Sequence, residues 1–202
     1  MASSKTEISN IALSHLGVGK EIANLETENS QEAAACRRFY DTALEATIRD
    51  FPWTFTNKYA ALALVEEDPN DEWAYSYRYP TGCLFVKKIL SGVRVDTRQT
   101  RVQYEVASDD AGKLIYTDMD DAQINYSALV EDTQLYPSDF VMAFSLRLAS
   151  LIAPRVTAGD PFKLKNDMIK LYEYELSKAR ANNFNEEQDP EDPDSEFIRE
   201  RS

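Results

Sequence analysis

The residues best placed to do chemistry are three carboxylates in the run Asp118-Met119-Asp120-Asp121. Carboxylate oxygens this close in sequence can grip a hard cation such as Ca²⁺ or Mg²⁺. The run has neither the central glycine nor the distal glutamate of an EF-hand loop, and Asp-rich turns between strands are common because Asp tolerates turn geometry. The ordinary reading is a solvated turn, so neither a metal nor any other cofactor is expected. His15 is the only histidine; no second imidazole shares metal or proton-transfer work with it, and its spacing puts it on a helix face. The six glycines form no phosphate loop, and neither a Gly-x-Ser-x-Gly elbow nor a Cys-x-x-Cys pair occurs. No catalytic residue is assigned, and the expectation is a protein that is not an enzyme. Carboxylates distant in sequence and gathered by folding are the alternative that local motifs do not exclude.

A second candidate is the alternation Trp73, Tyr75, Tyr77, Tyr79, with Arg78, Arg94, Arg98 and Arg101 near it in sequence. Such a ladder can stack bases or sugars beside phosphate-binding arginines. Alternating aromatics also serve a half-buried strand for packing, or for contact with a neighbouring copy. The second use is the expectation, with Tyr75, Tyr77, Arg98 and Arg101 as subunit-interface residues and the arginine loop suited to an acidic surface, including another copy's acidic tail. A small carbohydrate- or metal-binding structural protein, using Tyr75, Tyr77 and the turn at 118–121, is the runner-up.

Charge narrows the partners. The 202-residue chain has a formal net charge of −13, which argues against wrapping nucleic acid, since that needs clustered cations that displace counterions. Residues 184–202 hold eight acidic and two basic side chains, or −6 of the −13. This segment, interrupted by Pro190 and Pro193, is too polar to fold alone. It carries apolar anchors at Phe184 and at Phe197-Ile198, followed by Arg199. Phe184, Phe197, Ile198 and Arg199 are therefore the expected partner-binding residues, as a plug on a tether that orders when it meets an apolar groove.

The elements that must position these groups follow from periodicity. With 43% hydrophobic residues, the chain can bury a sizeable core. No apolar run is long enough to span a membrane, and residues 1–7 lack the apolar core of an export signal, so the expectation is a protein made in the cytoplasm with no membrane contact. Cys36 and Cys83 are then expected as free, small apolar groups. Ser4-Lys5-Thr6-Glu7 is a capping-box pattern opening a short helix that ends near Gly17. A second helix is expected over 31–49, with a stripe of Ala33, Cys36, Phe39, Tyr40, Ala43, Leu44, Thr47 and Ile48, and Pro52 stops it. Phe51, Trp53 and Phe55 then crowd a helix-to-strand corner where they seal the core. Residues 53–130 read as β-rich, with strands at 55–65, 73–79, 83–90, 102–106, 113–117 and 123–130. A helix apolar on nearly all sides starts after Pro137 and is closed by Pro154 and Gly159, and Asp160-Pro161 opens a last helix to about 181. The fold class is thus α+β and mainly helical: a helix bundle from residues 1–52 and 131–183, an inserted β-rich region at 53–130, and an extended acidic tail at 184–202.

This order, the corner Phe51-Pro52-Trp53-Thr54-Phe55, and the run Leu129-Val130-Glu131-Asp132-Thr133-Gln134-Leu135-Tyr136-Pro137-Ser138-Asp139-Phe140 entering a buried helix resemble the tail tubular protein A family of tailed bacteriophages. That resemblance implies a structural head-to-tail adaptor in the neck of the virion, assembled in the host cytoplasm. It implies a homo-oligomeric ring, commonly of twelve copies, beneath the portal protein and above a downstream tail or nozzle protein. DNA passes through its channel without tight binding, and the surface acidity suits such a wall because like charge keeps DNA from sticking.

Overall fold

The computed structural model describes residues 4–93 and 97–186, the side chains of 183–186 excepted. It is a mixed α+β structure of four α-helices and two antiparallel sheets. α1 (Lys5–His15) starts where the capping pattern puts it, with the Ser4 hydroxyl accepting from the Glu7 amide at 3.1 Å. α2 (Gln31–Asp50) starts at Ser30, whose hydroxyl accepts from the Ala33 amide at 3.2 Å. Each cap satisfies an amide that the helix itself leaves without a partner.

α3 (Ser138–Val156) is buried at Phe140, Val141, Ala143, Phe144, Leu146, Leu148, Ala149, Ile152 and Ala153. This all-round burial fits its composition, because helices pack on several of its sides. It runs past Pro154 to Val156 instead of ending there; in the last turn, the amide that proline lacks costs a single bond. α4 (Pro161–Glu186) also exceeds its expected end near 181. Asp160 caps it by accepting from the Lys163 amide at 3.0 Å, and Met168, Tyr172, Leu176 and Ala179 form its buried stripe.

Buried apolar residues of all four helices form one cluster, which also takes in Phe51, Trp53, Val130 and Tyr136. At its centre the Phe140 ring meets Trp53 at 5.0 Å, Phe55 at 4.8 Å and Tyr136 at 4.9 Å, all near edge-to-face. The Trp53 indole N–H donates to the Thr47 carbonyl at 3.0 Å, so the large ring is buried with its one polar atom satisfied. A polar knot ties three helices together: the Tyr172 hydroxyl donates to the Asp50 carboxylate at 2.7 Å, while Arg147 stands 3.7 Å from the same oxygen and over the Tyr172 ring. Cys36 sits in this core as a free thiol that burial pushes up to about 11, and Cys83 in the β region is free and half-buried.

The β-rich segment has its own cluster, built on Leu62, Tyr77, Val86, Ile89, Ile115, Ile124 and Tyr126. One sheet has three strands in the order β1 (Asn57–Ala61), β7 (Gln123–Ala128), β4 (Cys83–Ile89). The other has the order β2 (Ala63–Glu67), β3 (Tyr75–Arg78), β6 (Gly112–Thr117), β5 (Glu105–Asp109). The single strand expected over 55–65 is thus divided. Residues 54–56 form a 3₁₀ turn, and the chain changes sheet at buried Leu62, whose amide donates to the Ala122 carbonyl at 2.9 Å. The expected hairpin is present, with its first strand shifted to 105–109 and its turn at Asp110-Ala111. Gly112 there has φ +135, which a side chain would strain.

Candidate interaction groove

An open groove of about 760 Å³ lies at the β region, lined by Trp73, Arg98, Arg101, Val102, Gln103, Tyr104 and Glu105. A second hollow of about 320 Å³ continues it past Arg101, Val102 and Gln103 to Asp118 and Met119. Local rules build each wall. Asn70 accepts from the Glu72 and Trp73 amides, both at 2.9 Å, an Asx turn that halts the acidic loop and places Trp73 just before β3. The Trp73 indole N–H donates to the Glu105 carboxylate at 3.3 Å across the groove.

The arginine wall is one tight turn. The Thr97 amide donates to the Thr100 hydroxyl at 2.8 Å, and the Arg101 amide donates to the Thr97 carbonyl at 3.0 Å. Residues three apart on such a turn share a side, which brings Arg98 and Arg101 together. The floor is pinned from both sheets. The Tyr104 hydroxyl donates to the Val86 carbonyl at 3.0 Å, and the Thr117 hydroxyl donates to the Gln103 carbonyl at 2.9 Å. Burial pushes the Tyr104 phenol up, and Arg101 nearby works against that shift. Among the described residues neither Arg98 nor Arg101 forms an ion pair, whereas Arg78 holds Asp109 in a two-bond fork at 2.8 and 3.0 Å and keeps that carboxyl below its usual range.

The expected interface residues separate. Arg98 and Arg101 line the groove. Tyr77 does not reach any surface: it is 2% exposed, its hydroxyl donates to the Met119 carbonyl at 2.9 Å, and it stands in the β core. Assigning it to a subunit interface is therefore corrected, because the second sheet covers the face on which its ring lies. Tyr75 is half-buried beside it, with ring centroids 6.2 Å apart, and the Asp120 carboxylate raises its phenol. Trp73 belonged to the aromatic alternation that the sequence offered, whereas Tyr104 and Glu105 are groove residues that no sequence signal pointed to.

Two of the three carboxylates of 118–121 hold backbone amides. Asp118 accepts from the Ala74 amide at 3.1 Å, Asp120 accepts from the Asp121 amide at 2.8 Å, and Asp121 takes a left-handed φ of +48. No group of three or more His, Cys, Asp or Glu side chains among the described residues is arranged to hold a metal ion. His15 lies in the helical region, its Nε2 3.2 Å from the Ser145 hydroxyl. That hydroxyl donates to the Met142 carbonyl at 2.8 Å, so it accepts from the Nε2–H of His15. Phe184 falls inside α4, with helical backbone where an extended tail was expected. Phe197, Ile198 and Arg199 lie outside the described residues. No described helix is long and apolar enough to cross a membrane. Compared with models of known protein families and with curated proteins, the chain matches none.

Proposed function

We propose that this chain is a non-enzymatic, self-assembling structural protein that works as a head-to-tail adaptor in the neck of a tailed bacteriophage. In this reading the four helices form a bundle, copies assemble as a ring beneath the portal, commonly of twelve, and the ring continues the DNA channel toward the downstream tail or nozzle protein. The observation that carries it is the partition of the chain into two apolar clusters, one from the terminal helices and one from the inserted β segment. Helices with a closed core make a rigid base, and a β unit with its own core and an open groove is a surface held out from that base. The motif order and the chain's acidity support the same reading.

Mass measurement of the protein mixed with its portal tests this proposal. A multimeric complex is the expected result, and a strictly monomeric protein in the presence of portal would sink it. Deleting residues 184–202 is expected to leave a folded body and to weaken assembly; unimpaired assembly of the truncated chain refutes tail docking. The alternative, a small carbohydrate- or metal-binding structural protein, has the nearness of Tyr75 to Asp120 in its favour. Calorimetric titration with Ca²⁺ separates the two, because the adaptor has no saturable ion site.

A further inference from the structure

We infer that the groove between Trp73 and the Arg98/Arg101 turn is the seat for the acidic C-terminal segment, residues 187–202, of a neighbouring copy of this chain. The inference rests on the self-assembly proposed above and names the two surfaces that meet.

Charge comes first. Segment 187–202 has seven acidic and two basic side chains, a net −5. Five of the nine described arginines are already spent on acceptors, and of the other four only Arg98 and Arg101 line the groove. Arg37 donates to the Leu25 and Glu28 carbonyls, Arg49 to the Leu84 carbonyl, and Arg180 to the Asp50 carbonyl, while Arg78 and Arg147 meet carboxylates. Arg98 and Arg101 have no such acceptor among the described residues, and the Thr97–Thr100 turn holds them side by side. Two guanidinium groups carried on one turn, with their donors unspent, are a ready receptor for two carboxylates.

Spacing comes second. In a bound extended strand, alternate residues face one side and recur about every 7 Å. Asp194 and Glu196 would then face one way, matching two arginines one helical turn apart, at about 5–6 Å between Cβ atoms. Phe197 and Arg199 bracket the other side. There the groove offers the Trp73 ring for Phe197, and for Arg199 the Glu105 carboxylate that Trp73 already holds. Glu105 repels the acidic part of the segment, and Arg199 is the residue that turns this contact favourable.

Position selects a second copy. α4 is tied near its end to α2, where Arg180 bonds the Asp50 carbonyl and lies 5.7 Å over Phe51. Arg49 bonds Leu84 close by, at the start of β4, and the Tyr79 amide beside it pairs with Lys113. The groove is at the other end of the four-stranded sheet, where Tyr75 pairs with Thr117 and with Glu67. A donor at one end and an acceptor at the other, on identical chains, join head to tail, and such contacts close into a ring where the rotation between copies closes. The sixteen residues after Glu186 (202 − 186) span up to about 55 Å when extended, enough to cross to the next copy.

The test uses four full-length chains: the wild type, a groove variant (Arg98→Glu with Arg101→Glu), a tail variant (Phe197→Ser with Ile198→Ser) and a charge-reversed tail (Asp194→Lys with Glu196→Lys), all followed by sedimentation and native mass. Matching circular dichroism and melting midpoints check that each variant is folded. The expected result is a wild-type assembly, at least a tenfold rise in the concentration each variant needs to self-associate, and a discrete heterodimer when the groove and tail variants are mixed. The mixture retains one intact groove and one intact tail, on different chains. The charge-reversed tail, mixed with the groove variant, is expected to restore association. A groove variant that assembles like the wild type overturns the seat and leaves self-assembly standing. Groove and tail variants that both fail, with no heterodimer on mixing, overturn the second-copy assignment in favour of a seat within one chain or on another protein. A wild type that stays monomeric at every concentration overturns this inference together with the reading beneath it.

Discussion

The helical and β regions hold themselves together by different means. The helical core relies on volume, with Phe140, Phe144, Trp53, Tyr40 and Tyr136 meeting edge-to-face or stacked at 4.9–6.4 Å. The β core is thinner and is braced by polar links across its parts: Tyr77 to Met119, Tyr104 to Val86, Thr117 to Gln103, and a 2.9 Å contact between the Thr56 and Ser127 hydroxyls. Its outer strands leave Tyr59, Leu64, Val65 and Val106 exposed. Dense apolar packing makes a base that resists deformation, while directional bonds fix the shape of a surface whose apolar area is small. A region meant to present a groove needs the second kind of restraint more than the first.

The sharpest way to break this contrast is Phe140→Ala. The ring is fully buried among four aromatic neighbours, and its removal is expected to cost about 3–5 kcal/mol, read as a fall in the urea midpoint. A loss near that of an exposed residue would mean that this core is not closely packed. The corresponding change in the β region, Tyr77→Phe, keeps the ring and removes the hydroxyl, leaving the Met119 carbonyl without its donor. Its expected cost is about 1–3 kcal/mol, with faster amide exchange confined to 118–122 and unchanged helical circular dichroism. Equal loss of helical signal would show that the two cores unfold as one.

The smallest expected effect is one of pH. Burial lowers the His15 pKa below the usual 6.5, so the folded state binds this proton less readily than the unfolded chain. The contribution of the neutral ring is therefore present above 6.5 and is lost as pH falls through that value toward the folded pKa. Between pH 7.5 and 5.5 the melting midpoint of the wild type is expected to fall further than that of His15→Gln. Parallel curves would show that this histidine does not titrate against the helical core.

Helix starts were legible because capping is a local event. Ser4, Ser30 and Asp160 announce themselves through side-chain oxygens a few residues from the amides they satisfy. The burial of α3 was equally plain, since a helix apolar around its circumference has no side to give to water. The β region was less legible. Nothing within residues 55–65 says that the chain changes sheet at Leu62, because the bond that marks the change comes from Ala122, sixty residues later. Of the alternation Trp73, Tyr75, Tyr77, Tyr79, the rings of Tyr75 and Tyr77 meet on one side, yet the cover supplied by the other sheet leaves Tyr77 buried while Trp73 and Tyr75 stay half-exposed.

The groove shows the same division most clearly. Residue types and short-range spacing determined an arginine pair able to share one turn, an acidic segment with apolar anchors, and a local order of helices and strands. Only tertiary structure decided that Trp73, Tyr104 and Glu105 stand beside those arginines, that Arg78 is spent on Asp109, and that Tyr77 is a core residue. The physical reason is range: caps, turns and periodicity act over a few residues of chain, whereas exposure and ion pairing depend on which distant strand arrives alongside.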